Sequence, residues 1–174
     1  AFASMPNLES IPPAFLGSGV ASVGNAFANC KKLASVPADL FSKAKGITSI
    51  DSMFYNCSGL TTIPEGLFSG LDRLASAKAT FKNCTSLTAL PANLFSGAGQ
   101  LEPLAETFYG CNNLVSVAED LFAGMPNLKV LDSVFEACSA LPSVPEGLVP
   151  CTVTDLKYTF FRCAMLENAP LRLE

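Results

Sequence analysis

The stretch Phe54 to Phe68 reads FYNCSGLTTIPEGLF, and one 27-residue period further on Phe81 to Phe95 reads FKNCTSLTALPANLF. The Phe-x-x-Cys unit at the head of this line falls at Phe27/Cys30, Phe54/Cys57, Phe81/Cys84, Phe108/Cys111 and Phe135/Cys138, all at that same spacing. A further unit, Phe160/Cys163, follows after a slightly shorter interval, and a degenerate one, Phe2/Met5, precedes by an equally short one. Three residues past each Cys stands a leucine, from Leu33 to Leu166, with Leu8 in the first unit. Three further on comes Ile11, Val36, Ile63, Leu90, Val117, Val144 or Ala169, and then Pro, with Ala118 as the exception. Pairs such as Leu67-Phe68 follow, and each unit closes on an apolar pair three apart, such as Ile47/Ile50.

A fixed period in the range of solenoid repeats marks a stack of repeated coils. No single unit can bury its own apolar positions, so each coil buries them against its neighbours. Equivalent residues then form columns along the stack: a Phe column, a Cys column, a Leu column and a second Phe column. The line recurs because each residue packs on its own copy.

Within a coil, Pro-x-x-Leu-Phe has the form of a helix start with Pro in its first turn. Gly46, Gly70, Gly97 and Gly124 follow where the chain must reverse. Asp51 to Cys57 has the form of an Asp-capped turn. The strand candidates are Leu60–Ile63 and Ile47–Ile50, rich in Thr, Ser and Ile. Leu60–Ile63 and its equivalents are the favoured sheet, and the three-residue apolar spacing does not separate the two.

Composition narrows the function classes. Hydrophobic residues make up 49% and charged residues 15% of the 174, yet no apolar run is long enough for a spanning helix. The net charge is −4, without a basic cluster. Nucleic acid is an unsuitable partner, since phosphate binding needs concentrated Lys and Arg. An anionic membrane surface fails the same test. No signal peptide opens the sequence, and the closing Leu173-Glu174 is either native or a cloning remnant.

Leu-x-x-Ile-Pro-x-x-Leu-Phe, with a Cys six residues before the Ile, resembles the leucine-rich repeat pattern. The longer line ITSIDSMFYNCSGLTTI, Ile47 to Ile63, is more similar to BspA-like leucine-rich repeats, whose core is Met-Phe-x-x-Cys-x-x-Leu-x-x-Leu. The resemblance runs from Phe2 to Pro170, and the 27-residue unit is longer than that family's usual one. It implies an α/β leucine-rich-repeat solenoid of right-handed coils with short parallel strands and short helical turns. A single domain, 1–174, would hold about six to seven coils, the end ones partial. It further implies a bacterial cell-surface or secreted protein that binds a protein or host-surface ligand.

Candidate chemistry is sparse. The in-register cysteines point the same way from successive coils, so they lack the converging geometry of a disulfide. With no His and no Cys-x-x-Cys, zinc has no ligand set. They read as a buried thiol column. Cys151 breaks the pattern, where Val149-Pro150 replaces the usual Phe-Ser-Gly. It is free, or pairs with Cys138 or Cys163. No His also means no Ser-His or Cys-His dyad, and no cofactor is called for. Glu119-Asp120 falls in the helix-start slot, where the helix dipole favours negative charge. Binding candidates are Tyr55, Tyr109 and Phe161, which share the slot after the column Phe and alternate with Lys82 and Glu136. The proposed sheet face carries small pairs: Ala34-Ser35, Thr61-Thr62, Thr88-Ala89, Val115-Ser116 and Pro142-Ser143.

The expected function is a non-enzymatic binding or adhesion module, with a structural spacer or stalk as the alternative. A hydrolase using two carboxylates would need a concave pocket that holds both. Coil ends without a polar cap invite edge pairing, so end-to-end self-association, or further sequence over one end, is expected.

Overall fold

A computed structural model describes residues 2–168. Ala169, Pro170 and Leu173-Glu174 lie outside the described residues. The chain winds into stacked coils whose equivalent residues lie above one another. Parallel bridges join Ser22 to Ser49 and Ser49 to Ser76, each partner one period further on. Two short strands, β1 (Ala89–Leu90) and β2 (Ser116–Val117), pair in parallel with Ala89 opposite Ser116 and Leu90 opposite Val117. Both strand candidates thus carry axial pairing. The named strands fall in the equivalents of Leu60–Ile63, while the equivalents of Ile47–Ile50 form isolated bridges.

The densest pairing lies where the sequence indicated an Asp-capped helical turn. The N–H groups of Ser52, Phe54 and Asn56 donate to the carbonyls of Lys78, Thr80 and Lys82 in the next coil, at 2.7–2.9 Å. The alternate N–H groups, of Met53, Tyr55 and Cys57, close turns onto Ile50, Ser52 and Phe54. The same alternation repeats in the coils before and after, for example Ala79, Phe81 and Asn83 onto Ala105, Thr107 and Tyr109.

This pattern replaces the short helical turns expected from the sequence, and no helix forms among the described residues. The reason is local. Ser52 and Asn56 have φ of 54° and 57°, and their counterparts Asn25, Asn29, Ala79 and Asn83 share the left-handed conformation. A helix cannot pass through left-handed residues. Asn tolerates that conformation better than most residues, and Asn56 Nδ2 donates to Asn29 Oδ1 of the previous coil at 2.8 Å. The Pro-x-x-Leu stretch likewise closes a single turn, with Leu40 N–H on the Pro37 carbonyl, and Gly66 and Asn93 are left-handed within its equivalents. Asp51 does not cap its own turn. Its Oδ1 accepts from Ser76 Oγ and from Lys78 N–H in the next coil. Of the four reversal glycines, Gly70, Gly97 and Gly124 adopt positive φ.

The core is a set of columns. Phe27, Phe54, Phe81, Phe108 and Phe135 are buried and stack in sequence, centroids 5.4–5.8 Å apart and planes within 12° of parallel. Phe2 and Phe160 continue the column at its two ends. This is the offset stacking that aromatic quadrupoles favour. Leu33, Leu60, Leu87, Leu114 and Leu141 are buried in a column of their own.

Candidate functional site

The cysteine column performs a structural task. Each thiol donates to the carbonyl of the column Phe in the preceding coil: Cys57 to Phe27 at 3.1 Å, Cys84 to Phe54 at 3.2 Å, Cys111 to Phe81 at 3.4 Å and Cys138 to Phe108 at 3.3 Å. The same carbonyls take an N–H from their own coil, such as Cys57 N–H on Phe54. A buried carbonyl has two lone pairs to satisfy, and Cys is small and apolar enough to bring a weak donor to the second. Burial pushes these thiols up from the ordinary value, Cys57 to about 12 and Cys84 and Cys111 well above it. They stay protonated and inert, as low-pKa reactive cysteines do not. Cys151 is free and exposed, and Cys138 and Cys163 do not bridge to it.

Tyr55, Tyr109 and Phe161 lie in one column, as their spacing requires, but one intervening coil, carrying Lys82 or Glu136, separates each from the next. Tyr55 and Tyr109 are half-buried and Phe161 is 48% exposed. The face of Tyr109 is covered: Lys82 Nζ sits 4.3 Å from its ring centroid and donates to Glu106 Oε1 at 2.8 Å. Phe161 instead joins Tyr158, 5.6 Å away, and the Arg162 guanidinium at 5.1 Å. Tyr158 was not singled out from the sequence. Its signal is an aromatic in the left-handed slot that Asn25, Ser52 and Ala79 fill elsewhere, and its φ is 55°.

The small pairs of the proposed sheet face are exposed in all five coils, from Ala34-Ser35 to Pro142-Ser143. They form one strip along the stack. Val115, at 50% exposure, adds a larger apolar group to it.

Glu119-Asp120 differs from expectation. No helix begins there, so no helix dipole accounts for the two acids. They line an open groove instead, together with Phe122, Leu148 and Pro150. Of the interruption Val149-Pro150 that the sequence shows, Pro150 is part of this lining. Among the described residues, no group of three or more His, Cys, Asp or Glu side chains converges on a point where a metal could sit. No helix of the described residues is long and apolar enough to cross a membrane.

Stacked coils with a leucine column and short parallel pairing define a leucine-rich-repeat solenoid. No family model matches the chain, and no curated protein matches it in sequence. Solved structures similar to it include bacterial leucine-rich repeat proteins. One from Bacteroides ovatus is 23% identical with a TM-score of 0.46, over 94% of this chain and 45% of that one. One from Eubacterium ventriosum is 20% identical with a TM-score of 0.47, over 96% of this chain and 48% of that one. The T. pallidum leucine-rich repeat protein is 24% identical with a TM-score of 0.44, over 82% of this chain and 69% of that one. The chain therefore spans less than half of the first two.

Proposed function

We propose that this chain is a non-enzymatic binding module of a bacterial cell-surface or secreted protein. In this reading, right-handed coils at the 27-residue period present an extended surface to a protein or host ligand. The observation that carries it is the exposed strip of small residues running through five coils. Side chains that are short and mildly polar let a partner approach the backbone closely along the whole stack. Affinity then sums from many shallow contacts, as on other solenoid surfaces. Tyr55, Tyr109 and Phe161 are proposed as a second, aromatic row of contacts.

The spacer reading has one observation in its favour: Lys82 already occupies the face of Tyr109. Surface plasmon resonance against a panel of purified extracellular-matrix proteins separates the readings. Saturable binding abolished by a Thr62→Lys/Ala89→Lys/Ser116→Lys variant identifies the strip as the contact face. Binding abolished by Tyr55→Ser/Tyr109→Ser/Phe161→Ser identifies the aromatic row. Absence of binding across the panel favours the spacer. Antibody labelling of intact against permeabilised source cells tests the location.

A further inference from the structure

One axial hydrogen bond recurs at every junction between the described coils. The N–H two residues past a column Phe donates to the carbonyl one residue past the next column Phe. Ser4 donates to Ala28, Asn29 to Tyr55, Asn56 to Lys82, Asn83 to Tyr109, Gly110 to Glu136 and Ala137 to Phe161, all at 2.7–2.8 Å. The sense never reverses, so this side of the stack has a direction. At the last coil the N–H groups of Tyr158, Phe160 and Arg162 have no acceptor among the described residues. At the first coil the Ala3 carbonyl has no donor among them. One end thus presents open donors and the other an open acceptor, and open backbone groups of this kind template further pairing.

The side-chain columns are open at the same two ends. Phe135, Cys138 and Leu141 are fully buried, whereas Phe160, Cys163 and Leu166, one coil on, are half-buried. At the other end Phe2 is 37% and Met5 44% exposed, with Leu8 half-buried beside them. Phe160 lies 5.6 Å from Phe135 with planes 5° apart, and Phe2 lies 5.8 Å from Phe27 with planes 11° apart. Both end rings therefore keep the orientation that the column uses internally. Charge divides along the same axis. Residues 1–87 carry seven basic and five acidic side chains, and residues 88–174 carry four basic and ten acidic. Copies pointing the same way bring an acidic half to a basic half, while like ends repel.

We propose that a second copy of this chain docks head to tail, its first coil laid on the last coil of the copy before it. Phe160 then stacks on Phe2 of the next copy, Cys163 meets Met5, Leu166 meets Leu8, and the Arg162 N–H donates to the Ala3 carbonyl. The junction is weaker than an internal one, because Met5 fills the Cys slot without bringing a thiol donor to the Phe160 carbonyl. That carbonyl keeps the N–H of its own Cys163. Two different faces meet, so each added copy leaves one of each kind open, and assembly does not stop at a dimer. The exposed strip runs along the stack and stays accessible in such an assembly, so this inference does not rest on the binding reading above.

Sedimentation velocity on the purified chain tests it. Between about 5 μM and about 500 μM the wild-type mass should rise reversibly through multiples beyond the dimer. Phe2→Arg/Met5→Arg blocks the first-coil face, and Phe160→Arg blocks the last-coil face. Each variant alone should weaken assembly by roughly tenfold or more. An equal mixture of the two holds one intact face of each kind, so it should form a dimer and nothing larger. Urea midpoints confirm folding, and Leu166→Arg blocks the last-coil face should Phe160→Arg be unfolded. A wild-type chain that stays monomeric, a series that ends at the dimer, assembly retained by either variant, or a mixture that stays monomeric overturns the proposal.

Discussion

Cys84 Sγ lies 3.2 Å from the carbonyl oxygen of Phe54, one coil earlier, and donates to it. The contact ties the thiol column to the aromatic column and gives the buried thiols a measurable role. Desolvation raises Cys57, Cys84, Cys111 and Cys138 in the folded state. The sign follows from proton counting. Above the ordinary thiol value, near 9, the unfolded chain loses these protons while the folded chain keeps them. Stability is therefore full below about pH 9 and falls as pH rises toward the folded values, by up to ~1.4 kcal/mol per pH unit for each buried thiol. Urea denaturation at pH 7, 9 and 10.5 measures this. The Cys84→Ala/Cys111→Ala variant should show a shallower decline, and an equal decline in both proteins would contradict the assignment.

Thiol reactivity gives an independent reading of the same column. In the native protein at pH 7.5, a thiol reagent such as Ellman's should modify Cys151 rapidly, because it is the exposed cysteine. Cys163, half-buried, should follow more slowly. Cys84 and Cys111 should react only at the rate of unfolding, since the thiolate is the nucleophile and burial withholds it. Peptide mapping after timed quenching resolves the order.

Phe81 lies in mid-column between Phe54 and Phe108. Phe81→Ala should cost ~3–5 kcal/mol, the usual range for emptying a buried aromatic site. Phe160→Ala, at the half-buried end of the column, should cost less than half of that. Equal losses in equilibrium unfolding would mean that the rings do not form one continuous stack.

Gly110 and Asn83 share the left-handed column, with φ of 70° and 61°. A Cβ at Gly110 would collide with Asn83 Oδ1. Gly110→Ala should therefore destabilise through both the conformation and the collision, by about 1–3 kcal/mol. Adding Asn83→Gly removes the collision, so the double variant should recover part of the loss. A double-mutant cycle with no coupling energy would disprove the contact.

Lys82 bridges Glu106 and the ring of Tyr109 at the surface. Lys82→Ala should change stability by no more than ~1 kcal/mol, because exposed ion pairs contribute little. It should uncover Tyr109, and acrylamide quenching of tyrosine fluorescence should rise. Unchanged quenching would show that Lys82 does not shield the ring.

Much of the architecture was legible because a column residue carries its own signature at each repeat. Phe54, Cys57 and Leu60 recur with their copies in Phe81, Cys84 and Leu87, and all six are fully buried. The turn-forming segments were misread as helical because Pro-x-x-Leu-Phe and Asp-Ser-Met-Phe satisfy local helix signals equally well. Ser52 and Ala79 give no sequence warning that they are left-handed. Likewise Glu119-Asp120 matched a helix-start rule whose helix does not form.

The sequence by itself determined the period, the buried set and the inertness of the thiol column, since each follows from side-chain identity recurring at a fixed interval. The tertiary structure decided the backbone path between those positions. Alternate N–H groups such as those of Ser52, Phe54 and Asn56 bond to the neighbouring coil, and that axial pairing, available only once coils stack, outcompetes the helix the local residues would otherwise allow. It also decided that Glu119 and Asp120 line one groove with Gly147 and Leu148, because stacking alone brings residues one period apart side by side.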